Sequence, residues 1–332
     1  MFEKSLFRSV AALAAVALLV STAHAVTIKT VPVGNPGNLD DTHGDGYGSV
    51  AYPYRIGKYE VTAGQYTEFL NAVAADDTYG LYNGNMWSSD FGCKIVQSGS
   101  PGDYSYDVAA DRRNRPVNYV SWGDAARFAN WLHNGQLTGA QDDDTTEDGA
   151  YLLNGATSRS ALMAVTRRSD AAWFLPTENE WYKAAYYDGA RSVYYDYPMG
   201  TDDEPDNGNP GGDTGNTATY FDGDYTVSSL DYTTPVGQFG LSNSPYGTFD
   251  QGGNLWEWNE SVIIAGSTRG LRGGCRYDYS DKLSASYRSG GNGPTSELSS
   301  IGFRVASVPE PDSITLLVCG LVAGWIWCRR RR

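Results

Sequence analysis

Residues 244–258 read SPYGTFDQGGNLWEW. A turn-forming glycine pair, Gly252-Gly253, leads into Trp256 and Trp258 with Glu257 between them. The residues allow two readings. Either both tryptophans belong to the core and Glu257 caps a turn, or backbone oxygens fixed by the glycines form a cage that the Glu257 carboxylate closes. Downstream, LRGGCRYDYSDKL (271–283) holds Cys275, and IGFRVA (301–306) alternates at Phe303 and Val305, as a short strand does. ASYRSG (285–290) and YRIGKYEV (54–61) are further extended candidates.

Upstream, three segments open with the chemistry of a helix start, in which a Ser or Thr oxygen accepts an orphan N–H and the side chain three residues on reaches back. Thr62 and Gln65 form such a box ahead of the stripe Tyr66, Phe69, Leu70, Val73. Ser121, with Asp124 as a weaker third residue, precedes Ala125, Phe128, Ala129 and Leu132, and Gly135 is a natural stop. Thr177 and Glu180 precede Trp181, Ala184 and Ala185, with Asp188-Gly189 as the end. Glu180 therefore reads as a cap rather than a catalytic acid. Three helices, short strands and long polar loops predict an α+β domain with little regular structure, and the acidic stretches 140–148 and 200–216 read as solvated loops.

The two ends read as sorting devices. Lys4 and Arg8 precede an apolar run, and Ala23-His24-Ala25 gives a small-x-small cleavage pattern, so residues 1–25 read as a signal peptide and the mature chain starts near Val26. Residues 308–332 combine Val-Pro-Glu-Pro, an uncharged run (313–328) and four terminal arginines. At 1.5 Å per residue that run falls short of a hydrocarbon core of about 30 Å, which suits a transient anchor. The segment resembles the bacterial PEP-CTERM sorting signal, which implies an exosortase-type peptidase as partner and an exported protein of the envelope or extracellular space.

The formal net charge is −14, and the two ends hold six of the basic residues. A nucleic-acid or anionic-lipid surface needs clustered cations and is not expected. Removing the signal leaves only His43 and His133, so a three-histidine iron site is excluded, and no zinc-binding H-E-x-x-H pattern occurs. His133 lies at the end of the second helix, where an imidazole interacts with the dipole. No nucleophile elbow or phosphate loop is present either.

Six segments, YRIGKYEVTAGQYTEFLN, RPVNYVSWGDAARFANWL, FLPTENEWYKAAYY, SPYGTFDQGGNLWEW, LRGGC and IGFRVA, resemble in the same order those of the sulfatase-modifying-factor family, best known for the formylglycine-generating enzyme. The likeness runs from about Tyr54 to Ala306. It implies one compact domain, 26–307, with a C-type-lectin-like core and structural calcium. It also implies oxidation of a sulfatase cysteine with copper and oxygen, carried by two cysteines of the C-terminal segment. Aligning the glycine pair on Gly273-Gly274 places those cysteines at Asp278 and Leu283. Neither carries the sulfur that Cu(I) chemistry needs, so copper is not expected and the chain reads as non-catalytic.

The resemblance assigns calcium to the carbonyls of Gly253 and Leu255 and the carboxylate of Glu257, with a first site at Asn216 and Thr217. The acidic residue that first site needs falls near Ser228. The rival reading is a displaced copper site through Cys275. Only Cys93 could join it, since Cys319 and Cys328 lie in the terminal segment, and a disulfide, two separate thiols or a relocated copper pair all remain open. The lectin-like core suggests a carbohydrate or protein ligand. Rings of YYDYPMG (194–200) either stack on sugars or pack onto the core.

Overall fold

Each of the three capping boxes opens a helix. The computed structural model describes residues 25–42, 46–209, 212–227 and 233–308. The helices described are α1 (Ala63–Val73), α2 (Asn85–Ser88), α3 (Trp122–His133), α4 (Arg159–Ala164) and α5 (Glu178–Tyr186). Thr62, Ser121 and Thr177 each accept from the backbone N–H three residues on, and Gln65, Asp124 and Glu180 each accept in return. Asp124 completes its box as fully as the longer side chains do, with Oδ2 2.8 Å from the Ser121 N–H. Helix α5 stops at Tyr186, before Asp188-Gly189, because Tyr187-Asp188 turns out to pair as a strand.

Eleven short strands are described: β1 (Thr30–Val33), β2 (Tyr54–Gly57), β3 (Ile95–Ser98), β4 (Ser105–Val108), β5 (Trp173–Phe174), β6 (Tyr187–Asp188), β7 (Val193–Tyr194), β8 (Trp256–Ile264), β9 (Thr268–Arg272), β10 (Ile301–Phe303) and β11 (Ala306–Ser307). An antiparallel sheet runs β1-β2-β11-β5. A second runs β10-β8-β9, with β10 parallel to β8, and β3-β4 and β6-β7 are hairpins. IGFRVA thus supplies two strands, one to each sheet. ASYRSG forms none: the buried Arg272 guanidinium takes the carbonyls of Ala285 (3.1 Å) and Tyr287 (2.6 Å), which a ladder would otherwise have used.

Helix α3 is buried on every side from Trp122 to Leu132. Its Phe128 meets Phe303 of β10 edge-on at 5.4 Å and Tyr66 and Phe69 of α1 at 6.1 and 5.3 Å, so the last segment of the domain packs on its central helices. Burial of α3 also brings Arg127 inside, where Glu147 meets it with bonds of 2.6 and 3.0 Å. This corrects the solvated reading of 140–148: Asp142, Asp143 and Asp144 face water, but Thr145, Thr146 and Glu147 are buried because a buried guanidinium needs a counter-charge.

Candidate functional site

The loop after β9 is where family chemistry would reside. Gly273 and Gly274 both take positive φ (101° and 71°), and a Cβ on Gly273 would come within 2.8 Å of the Gln251 carbonyl. The turn that follows is closed by Asp278. Its Oδ2 accepts from the Cys275 N–H at 2.9 Å, and its own N–H donates to the Cys275 carbonyl at 3.0 Å. Leu283 is fully buried against Ala218 and Tyr220, and a methyl group of it lies 2.8 Å from where a Cβ of Gly274 would stand. The two positions that would hold sulfur are therefore a turn-closing carboxylate and an apolar plug.

Cys275 and Cys93 are both buried and both free thiols, so the two are not joined in a disulfide in this structure. Burial pushes the Cys275 thiol well up, and the Asp278 carboxylate adds to this. Burial likewise pushes Cys93 up to about 11. A thiol kept protonated by burial is a poor nucleophile, because the thiolate is the reactive form.

Glu257 is fully buried. Arg304 grips it with two bonds of 2.5 Å, and the Trp181 indole N–H donates to it at 2.8 Å. Two more carboxyls, buried Glu60 and half-buried Asp250, face the same guanidinium: desolvation raises Glu60, and it raises Asp250 to about 6. As placed, Glu257 does not fit a calcium cage, because its counter-charge is already a guanidinium. Among the described residues no group of three or more His, Cys, Asp or Glu side chains is arranged to hold a metal ion. Leu255 is a buried side chain and Trp258 is core, its indole N–H bonded to the Val120 carbonyl at 3.0 Å.

The two loops assigned to calcium do meet. Thr219 bridges Gly253, and the Asn254 N–H donates to the Thr219 carbonyl at 2.8 Å. Asn216 donates to the carbonyls of Asp203 and Glu204 (3.1 and 3.0 Å), and its own Oδ1 is buried with no hydrogen-bond partner. Thr217 accepts from the Thr214 N–H at 2.9 Å. Ser228, His43, Cys319 and Cys328 lie outside the described residues.

Glu180 is the cap the sequence indicates, and it also receives Arg167. His133 departs from the dipole role: its Nδ1 accepts the Ala172 N–H at 2.9 Å, pinning the end of α3 beside β5. In 194–200, Tyr194 is buried against Tyr182 and Tyr187, with Tyr195 and Tyr197 half-buried, so these rings pack on their own core. What sequence reasoning missed is Asn118. Its amide accepts from the Cys93 N–H (2.9 Å) and donates to the carbonyls of Phe91 (2.7 Å) and Ser299 (2.8 Å), tying three distant loops. No periodicity or spacing signals such a hub.

The sequence profile of the sulfatase-modifying factor enzyme 1-like domain matches residues 37–308. The inactive C-alpha-formylglycine-generating enzyme 2 of Bos taurus is 36% identical over 150 residues, 42% of this chain and 46% of its own. The chain thus spans less than half the length of that curated relative. Among solved structures, CarF superposes with a TM-score of 0.57 at 21% identity, over 86% of this chain and 99% of its own. Treponema denticola variable protein 1 gives 0.53 at 21% identity, over 87% and 98%. At such identity the likeness is one of fold. By the match over most of its length and the α+β architecture it shares with these structures, the chain belongs to the sulfatase-modifying factor enzyme 1-like family.

Proposed function

We propose that this is a non-catalytic, exported member of the family that works by binding, in the cell envelope or extracellular matrix. The observation that carries the reading is the loop 273–283, where Asp278 closes a turn and Leu283 fills the core at the two sulfur positions. Burial also pushes both thiols up, away from the thiolate that nucleophilic chemistry needs. The Bos taurus relative is itself named an inactive enzyme. Val26, where the mature chain is proposed to start, is itself tied to the domain: its N–H donates to Gln136 Oε1 at 2.5 Å and its carbonyl accepts from Gln136 Nε2 at 2.9 Å. A chain beginning at Val26 keeps both bonds.

The copper-loaded full chain, incubated with a sulfatase-type cysteine peptide and oxygen, should yield no aldehyde by mass spectrometry. Conversion of the peptide, abolished by Cys275→Ser, overturns the reading. The native protein should start near Val26 and lack the arginine tail; an intact C-terminus on a cytoplasmic species defeats the export part.

A further inference from the structure

Residues 293–300 (GPTSELSS) form neither helix nor strand, yet they strap separate parts of the domain together. The Pro294 carbonyl accepts from the Trp122 N–H at the start of α3 (3.1 Å), and the Leu298 carbonyl accepts from the Tyr119 N–H (3.1 Å). The Ser300 carbonyl accepts from the Trp256 N–H of β8 at 2.8 Å. Ser299 holds the loop 273–283: its carbonyl accepts from Arg276 Nη1 at 2.8 Å, and its Oγ is 3.1 Å from the Tyr277 hydroxyl. Between these anchors, Glu297 meets the first turn of α3. It is hydrogen-bonded to Asp124, which is only 3% exposed, and it also accepts from the Asn83 amide. We infer that the carboxyl pair Asp124–Glu297 is a proton-operated latch, closed while the two groups share one proton, whose release frees the strap 293–300 from α3 and loosens the loop 273–283.

Two carboxyl groups can hydrogen-bond to each other only while one of them keeps a proton to donate. Once both are ionised, like charges in contact repel, and the repulsion is strongest where water is excluded. The groups around the pair offer no cation to offset a second charge. Arg127, on α3 itself, faces Asp124, but Glu147 takes its guanidinium with bonds of 2.6 and 3.0 Å. Tyr66 of α1 faces both carboxyls; burial holds its hydroxyl protonated, and it donates to the Leu81 carbonyl at 2.9 Å. Asp77, after α1, presents a third carboxyl to Glu297, and Cys93, which faces Tyr66, stays a neutral thiol. Arg159 of α4 lies against Gly293, at the far end of the strap. Burial, and then Glu297, push the Asp124 carboxyl up to about 8, and burial raises Glu297 as well. Freed from the pair, an aspartate gives up its proton near pH 4. Opening therefore releases a proton, so it is favoured by up to about tenfold per pH unit as pH rises toward 8, and levels off above, where the closed state is ionised too.

The test is hydrogen–deuterium exchange of the full chain between about pH 6 and 9, with protection expressed against the exchange rate of the unfolded chain at each pH. The reporters are the amides of Tyr119 and Trp122, which donate to strap carbonyls. They should lose about 10- to 100-fold of their protection from pH 6 to 8 and little more above. At every pH they should be at least about tenfold less protected than the β1–β2 ladder, because the strap opens while that sheet stays folded. Asp124→Asn, whose amide accepts from Ser121 and donates to Glu297, should keep the pH 6 protection throughout. Glu297→Gln, which also leaves one carboxylate facing one amide, should do the same and serves if the first variant fails to fold. Asp124→Ala removes the latch outright and should leave protection low and level with pH, which a plain structural contact between two carboxyls would not distinguish from the amide variants. Protection that is flat with pH in the parent chain, a pH slope that survives both amide variants, or reporters as protected as the β1–β2 ladder overturns the proposal.

Discussion

At the scale of single residues, the carboxylate of Glu257 receives Arg304 and Trp181 from segments far apart in the chain. Removing one member of a buried ion pair leaves the other charged and unpaired, so Glu257→Ala should cost about 3–5 kcal/mol in denaturant unfolding. The cost should be the same with and without a calcium chelator; one that vanishes under chelation shows that a cation, not Arg304, is the partner. Glu257 stood out in the sequence, while Arg304, 47 positions later, did not. Sequence spacing shows a carboxylate but not which distant guanidinium will neutralise it. Asp124 gives a second test. Burial, and then neighbouring Glu297, push its carboxyl up to about 8. The folded state therefore keeps a proton that the unfolded chain gives up near pH 4, so this contribution is complete below about pH 4 and is lost as pH rises toward 8. Asp124→Asn can still accept from Ser121 and donate to Glu297, so the fall in the denaturant midpoint between those values should flatten. A slope identical to that of the parent chain rejects the assignment.

At the scale of elements, the helix starts were legible because their chemistry is contained within four residues. Their energetic weight is not local. Ser121 is buried, Thr62 half-buried, and Ser158, which caps α4 without a reciprocal partner, exposed. A lost cap costs most where water cannot replace it. Ser121→Ala should thus cost about 2 kcal/mol, Thr62→Ala about 1 and Ser158→Ala about half of that, read from urea midpoints. An equal cost at all three sites would mean that burial is irrelevant to capping here. Of the elements that escaped the sequence, α2, α4, β5, β6 and β7 are too short to show a period, and β1, β3, β4, β8 and β9 escaped it as well. ASYRSG has the residues of a strand, yet Arg272 takes its carbonyls, and nothing within that hexapeptide announces an arginine thirteen residues away.

At the scale of the whole molecule, the six ordered segments made the α+β domain readable, but not that its two ends would meet. Ala306 of β11 faces Ile56 of β2 on one side and Phe174 of β5 on the other. A chain ending before Ala306 should therefore lose its cooperative melt, while one ending just after Val308 should melt as the parent does; equal melting of the two would show β11 to be dispensable. During synthesis the ribosome delivers β2 and β5 long before the strand that joins them. Every nascent copy thus spends most of its assembly with two unpaired strand edges, the kind of surface that neighbouring copies can capture. The abundance of correctly folded protein should accordingly depend on how quickly the final residues are released and on how well the cell's holding chaperones keep copies apart until then.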